Sequence, residues 1–116
     1  MHVPNARRAR IDRSKLRGYL LSRVLPVGKR KAPFFEWLGY TQRSWRRLEA
    51  DMRSQHLVLD AYAGEPTSFG RKYEIRARLT GPTGRSASVV SAVSVWIVLT
   101  GETIPRFVTA TPGEDP

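Results

Sequence analysis

No cysteine occurs among the 116 residues, which removes disulfides, thiolate metal sites and a cysteine nucleophile together. An apolar core must therefore hold the fold, and nothing in the composition asks for an oxidising compartment. Histidine is almost as scarce. His2 and His56 are the two present, and an acid–base pair needs both within reach of one phosphate, although His2 stands in a short N-terminal arm. His56, at the end of a helical pattern, reads as a residue favoured by the helix dipole rather than as a base. Long apolar runs are missing too: the longest lies near Val89 to Leu99, is broken by Ser91 and Ser94, and is far too short to span a bilayer. No apolar stretch follows the basic N-terminus as it would in a signal peptide. The expectation is a cytoplasmic protein, or a module of a larger one, with no membrane partner.

What is abundant is positive charge, and it is all at one end. Residues 1–56 hold fourteen cations against four anions, whereas residues 57–116 hold six of each, so the whole net charge of +10 belongs to the first half. Sixteen of the twenty cations are arginine, whose planar fork of donors matches phosphate better than the point charge of lysine. Clustered cations gain affinity for a polyanion by releasing its condensed counterions, so nucleic acid is the expected partner.

The hydrophobic pattern divides the chain into a basic arm (1–11), a helical basic half (12–56), a sheet (57–112) and an acidic tail (113–116), all in one domain. The arm is read as an edge strand or a mobile segment. Asp12 or Ser14 caps a first helix carrying Leu16, Tyr19, Leu20 and Val24 at helical spacing. Pro26 and Gly28 end it, and a second helix begins near Lys29, where Pro33 falls in the first turn. Gly39 closes that helix, and Thr41 caps a third, which runs to about His56 with Trp45, Leu48 and Met52 as its apolar stripe. After His56 the period becomes two. Tyr73, Ile75, Ala77 and Leu79 alternate with charged residues as a half-buried strand, and residues 80–84 make a turn. A second strand returns over Arg85 to Leu99, with a bulge expected between Ser91 and Ser94 because Val-Ser recurs there at an offset of three. Arg106 to Thr111 forms the last strand, and a short one is expected over Leu57 to Tyr62. The fold class is α+β, with N-terminal helices packed on a curved antiparallel sheet of three to four strands.

Chemistry-bearing motifs are few. Gly28, Lys29, Arg30 and Lys31 set three cations beside the free N–H groups of an expected helix start, a combination suited to phosphate. Glu74 and Arg76 flank Ile75 in a weak likeness to metal-dependent nucleases, but no set of carboxylates converges convincingly on one ion, so neither metal nor cofactor is expected. A metal-independent route remains. RNA is cut by its own 2′-hydroxyl when a protein orients the strand, neutralises the phosphate and helps move protons. Lys31, Lys72, Tyr73, Arg106 and Thr109 are the candidates a helix-on-sheet layout would bring together for this. Arg7, Arg8, Arg10, Lys29, Arg30, Arg43, Arg46 and Arg47 are the candidate nucleic-acid contacts.

Residues 15–21, 26–35, 38–40 and 105–110 (Lys15-Leu16-Arg17-Gly18-Tyr19-Leu20-Leu21, Pro26-Val27-Gly28-Lys29-Arg30-Lys31-Ala32-Pro33-Phe34-Phe35, Leu38-Gly39-Tyr40, Pro105-Arg106-Phe107-Val108-Thr109-Ala110) resemble a family of bacterial domains associated with toxin systems. That family is in turn similar to the small ribonucleases that include barnase, RelE-type toxins, EndoU-type enzymes and colicin-type tRNA nucleases. The resemblance implies RNA on the open face of the sheet. Its Pro-x-Gly-x-x-Lys-Ala element falls on Pro26, Gly28, Lys31 and Ala32, and its Arg-x-x-Thr-Ala element on Arg106, Thr109 and Ala110. Leu25 stands where relatives tend to have histidine and Thr111 where they tend to have tyrosine. Three functions follow as alternatives: a metal-independent ribonuclease-like toxin domain, a non-catalytic nucleic-acid-binding module, or a basic protein docking on an acidic partner. RNA and an acidic antitoxin or immunity protein are the expected partners.

Overall fold

The computed structural model describes residues 1–21, 26–83 and 92–113, with the backbone alone over 26–31. Three helical segments precede a four-stranded antiparallel meander, so the α+β class holds. Helix α1 (Arg13–Lys15) widens at once into a π-helical stretch, Leu16–Leu20. The Leu21 N–H closes it on the Leu16 carbonyl at 2.9 Å, five residues back. Asp12 occupies the N-cap position with extended backbone, but its carboxylate accepts no capping hydrogen bond from the helix. Helix α2 spans Pro26–Leu38, which corrects the expected start near Lys29. Pro26, lacking an N–H, fits a first turn, where that donor would go unused. Pro33 consequently lies in the helix interior rather than in its first turn, where it removes one backbone hydrogen bond. Residues 22–25, including Val24 and Leu25, lie outside the described set.

Gly39 ends α2 as expected, and the geometry explains why glycine stands there. Its φ is +108°, the Gly39 N–H bonds the Glu36 carbonyl, and the Tyr40 N–H bonds the Phe35 carbonyl, both at 2.9 Å. This pair of bonds is a Schellman closure, and Phe35 and Tyr40, the residues it brings together, are both fully buried. Thr41 then caps the next helix through a reciprocal box. The Ser44 N–H bonds Thr41 Oγ1 and the Thr41 N–H bonds Ser44 Oγ. One 3-10 turn (Gln42–Ser44) leads into α3 (Trp45–Asp51), which ends in a π-helical stretch, Met52–His56. Leu48 and Met52 are buried and Trp45 half-buried, as the stripe required.

Strands β1 (Tyr62–Ala63), β2 (Gly70–Ala77), β3 (Ala92–Leu99) and β4 (Arg106–Pro112) pair in sequence order. The short strand expected over Leu57 to Tyr62 is thus only two residues long and starts at the far end of that range. The bulge is also elsewhere. Pairing of β2 with β3 is unbroken from Gly70↔Leu99 to Ala77↔Ala92, so no bulge interrupts residues 92–94. Residues 84–91, including Ser91 and the first part of the expected second strand, lie outside the described set. The register shift lies between β3 and β4, where Val95↔Thr109 is followed by Trp96↔Phe107 and Val108 is the extra residue. The N-terminal arm is pinned rather than mobile: Arg10 pairs in parallel with Arg106, and His2 pairs with Asp60. It covers the exposed edge of β4.

The helices cover one face of the meander. Tyr73, Trp96 and Phe107 form a continuous row across three strands on that face, with Trp96 fully buried and set edge-on to Phe107 at 5.1 Å. His56 reaches the next row. It is fully buried, and its Nδ1 lies 2.7 Å from Ser94 Oγ, which also accepts from the Trp96 indole N–H at 3.0 Å. A hydroxyl donates one proton and accepts on two lone pairs, so Ser94 can bond His56 Nδ1 in either ring tautomer while holding the indole N–H. Nε2 itself makes no well-formed hydrogen bond among the described residues. His56 is therefore a core residue, not the exposed dipole partner read from its place at a helix end.

Burial, partly offset by the Ala77 backbone, lowers the His56 pKa from 6.5 to about 4. Above pH 6.5 the ring is neutral whether the chain is folded or not; below it, the unfolded chain binds a proton that the folded one refuses. Stability should thus fall by about 3 kcal/mol between pH 6.5 and 4 on this account. Urea unfolding across that range should show a shallower decline in His56→Gln than in wild type, and parallel curves would remove His56 as the cause. In the loop after β2, a Cβ on Gly81 would sit 2.0 Å from the Leu38 carbonyl oxygen. Gly81→Ala should cost about 1–3 kcal/mol by overpacking, read as a lowered urea midpoint.

Candidate nucleic-acid interface

The register decides which side chains share the uncovered face of the sheet, because alternate residues point opposite ways. Lys72, Ile97 and Arg106 form one outward row, and Glu74, Val95 and Thr109 the next. Lys72 and Arg106 are two strand spacings apart, about 10 Å. Arg106 and Thr109 share this face only because Val108 is bulged: three positions apart in a regular strand, they would point to opposite sides. The bulge likewise turns Phe107 and Ala110 together into the core. Three of the five expected catalytic positions, Lys72, Arg106 and Thr109, are thus brought onto one surface. Thr111 follows on that face opposite Val93.

Tyr73 is not with them. It belongs to the inward row against Trp96 and is 5% exposed, so its hydroxyl has no place on the open face. The Lys31 backbone lies within α2, but the side chains of Lys29, Arg30 and Lys31 lie outside the described set. Because α2 begins at Pro26, these three residues sit inside the helix rather than at its opening, which corrects the expected phosphate site at a helix start.

Arg106 is held by a carboxylate. Its Nε and Nη2 donate to the two oxygens of Glu102 at 3.0 Å each, a two-pronged pair across the β3–β4 turn. That contact lowers the Glu102 pKa and raises that of Arg106, with the hydrogen bond as the main cause in both. Arg10 faces the same pair, and these residues with Gly101 and Thr103 line a pocket of ≈ 260 Å³. Beside the Lys72 row lies a wider groove of ≈ 710 Å³ whose walls include Tyr62 and Phe69. Both rings are more than three-quarters exposed. The sequence reading missed them, since they fall in loops and a two-residue strand, outside any apolar period.

Most of the open cations lie in the helical half, although Lys72, Arg76 and Arg78 are exposed in the sheet half. Arg7, Arg8, Arg10, Arg13, Arg17, Arg43 and Arg46 are exposed, and none of them forms a salt bridge among the described residues. Arg46 lies over the Trp45 ring at 4.8 Å from its centre, and Arg13 and Arg17 line a shallow pocket of ≈ 310 Å³ with Gln42. Two of the arginines on α3 and its extension are occupied instead. Arg47 Nε donates to both oxygens of Asp51 at 3.0 and 3.2 Å, and Arg53 pairs with Glu49 while donating to the Ala9 carbonyl. Asp51 is buried and also accepts from the Tyr40 hydroxyl at 2.5 Å. Burial, chiefly, and that carboxylate raise the Tyr40 pKa far above its ordinary value. In a two-layer fold the outward side of the helices and the uncovered side of the sheet face opposite directions, so Arg43 and Arg46 do not converge on Lys72 and Thr109. Arg10 and Arg106, at the β4 edge, lie where the arm meets the sheet. His2 is engaged by Asp60 and the Val58 carbonyl. Among the described residues no group of three or more His, Asp or Glu side chains is placed to hold a metal ion.

The chain belongs to the family described as a domain of unknown function (DUF6883), which matches residues 2–114. Among solved structures it is similar to a chain of a contact-dependent growth inhibition toxin and immunity protein complex from Klebsiella pneumoniae 342. The match has a TM-score of 0.61 at 17% identity and covers 88% of this chain and 97% of the other. At that identity the likeness speaks for the fold. No curated protein sequence matches.

Because Glu102 occupies the Arg106 guanidinium, removing it should free a cation at the sheet edge. Glu102→Gln should elute from heparin at higher salt than wild type while melting at nearly the same temperature, as expected for an exposed ion pair. Earlier elution would mean that Arg106 needs its carboxylate to stay in place.

Proposed function

From a DUF6883 chain with this fold, we propose a toxin domain that engages RNA and cuts it without a metal, using the RNA's own 2′-hydroxyl. The observation that carries the reading is the set of exposed arginines without salt bridges on a domain of net charge +10. Electrostatics of this kind favour a phosphate backbone over a neutral ligand. The structural neighbour comes from a toxin and immunity protein complex, which supports an acidic immunity partner for so basic a chain.

In this reading the 2′-oxygen attacks the adjacent phosphorus and the bond to the 5′-oxygen breaks. The proton lost by the first oxygen is returned to the second, leaving a cyclic phosphate and a 5′-hydroxyl. Arg106 and Lys31 hold and neutralise the phosphate, Lys72 supports them, and Thr109 helps position the proton transfer. Arg106 exchanges the Glu102 carboxylate for the phosphate, a like-for-like replacement of one two-pronged anion by another. A second reading, a non-catalytic nucleic-acid-binding module, draws on a specific observation: His56 and Tyr73 are buried and His2 is tied to Asp60, so none of them stands free to move a proton on the open face.

Purified protein should shorten RNA in the presence of EDTA, and Lys31→Ala and Arg106→Ala should each abolish the product. Intact RNA at high protein concentration, combined with binding whose logarithm falls linearly with the logarithm of salt, would select the non-catalytic module. Failure to bind RNA at any salt would overturn both.

A further inference from the structure

The groove beside β2 is electrostatically unlike the rest of the molecule. Its charged side chains are Lys72 against Glu65 and Glu74, and none of the three is ion-paired among the described residues. On a chain of net charge +10, this hollow is locally acidic, with two carboxylates against one cation, and only its Lys72 side suits phosphate. It is apolar at Ile97 and walled by Tyr62 and Phe69, which are 77% and 78% exposed. Neither ring takes part in an aromatic or cation contact among the described residues, so their faces are open. Tyr62 stands directly across from Glu74 in the β1–β2 pair.

We propose that Tyr62 and Phe69 form a stacking platform for an unpaired nucleobase, with Glu65 and Glu74 accepting from its N–H groups while the backbone runs along Lys72 and Arg106. The argument is one of complementarity. A partner must be anionic to suit Lys72 and Arg106 on this face and Arg10 at its β4 edge, yet present a flat, uncharged, donor-bearing group to suit the groove. Single-stranded nucleic acid combines the two, because its bases splay away from the phosphates and every base has a face to stack. A duplex keeps its bases stacked on one another and offers only phosphates to this surface. The Lys72–Ile97–Arg106 row carries the strand out of the groove: a cation at each end and an apolar residue between, on one face. This inference rests on the RNA reading above and names which form of RNA the surface takes.

The test measures binding of a labelled single-stranded oligoribonucleotide and of its duplex to wild type, Tyr62→Ala, Phe69→Ala, the double variant and Tyr62→Phe. Each alanine should weaken single-strand binding about tenfold and leave duplex binding within about twofold, with Tyr62→Phe close to wild type because the ring remains. Both residues are exposed, so far-UV circular dichroism should be unchanged. Equal single-strand affinity in wild type and the double variant overturns the platform while leaving RNA binding intact. Equal losses for single strand and duplex overturn it as well, since they would show a general role in holding the surface. Absence of RNA binding by wild type overturns the functional reading itself, and the platform with it.

Discussion

The molecule depends on one seam, where the helical layer closes over the inner face of the meander around Trp96. A 13.1 kDa chain with ten more cations than anions repels itself, and without cysteines the opposing term is burial. Leu16, Leu20, Phe35, Leu48 and Met52 from the helices and Tyr73, Ile75 and Trp96 from the sheet supply it, each worth about 1.5–3 kcal/mol when fully buried. His56 and Ser94 add a polar stitch across this seam. Such a stitch specifies register more than it adds strength: both groups lose water, and only the pairing between them makes that tolerable.

Acidic residues are few, and four of them hold structure. Asp51 joins Arg47 and the Tyr40 hydroxyl, Glu49 holds Arg53, and Glu102 holds Arg106. Asp60 secures the N-terminus and His2. The neutralised arginines are thus mostly those that knit elements together, and those left open are mostly on the arm and the outer helix turns, with Arg76 and Arg78 also exposed in the sheet half. The two surfaces differ in kind, a diffuse cationic one on the helices and an amphipathic one on the sheet, joined at the β4 edge by Arg10 and Arg106.

Much of the fold was legible because it depends on local chemistry. The period-two alternation of Tyr73, Ile75, Ala77 and Leu79, the glycine after α2 and the threonine before α3 each carry their structural consequence in a few adjacent residues. The start of α2 was misread because the Pro26 and Gly28 pair reads as a stop, whereas proline at the head of a helix is equally permitted. Ser94 was taken as a break in an apolar run, but its role is set by His56, 38 residues away, and no local pattern encodes that partner. The candidate site was legible in part for the same reason. Lys72, Arg106 and Thr109 share a face through sheet pairing, while Tyr73 follows the alternation of its own strand into the core. Tyr62 and Phe69 gave no periodic signal because a two-residue strand is too short to show one and a loop has none.

The extra residue at Val108 has a wider bearing. Most surface connections in a small domain tolerate a gained or lost residue, since the slack is taken up in solvent. Here the slack is taken up inside the sheet: drawing Val108 into the ladder would send Thr109 inward and Ala110 outward, whereas a strand without it would pair regularly and leave both where they are. The wet and dry sides of β4 therefore depend on the bulge wherever the extra residue is present, and not on the residue itself.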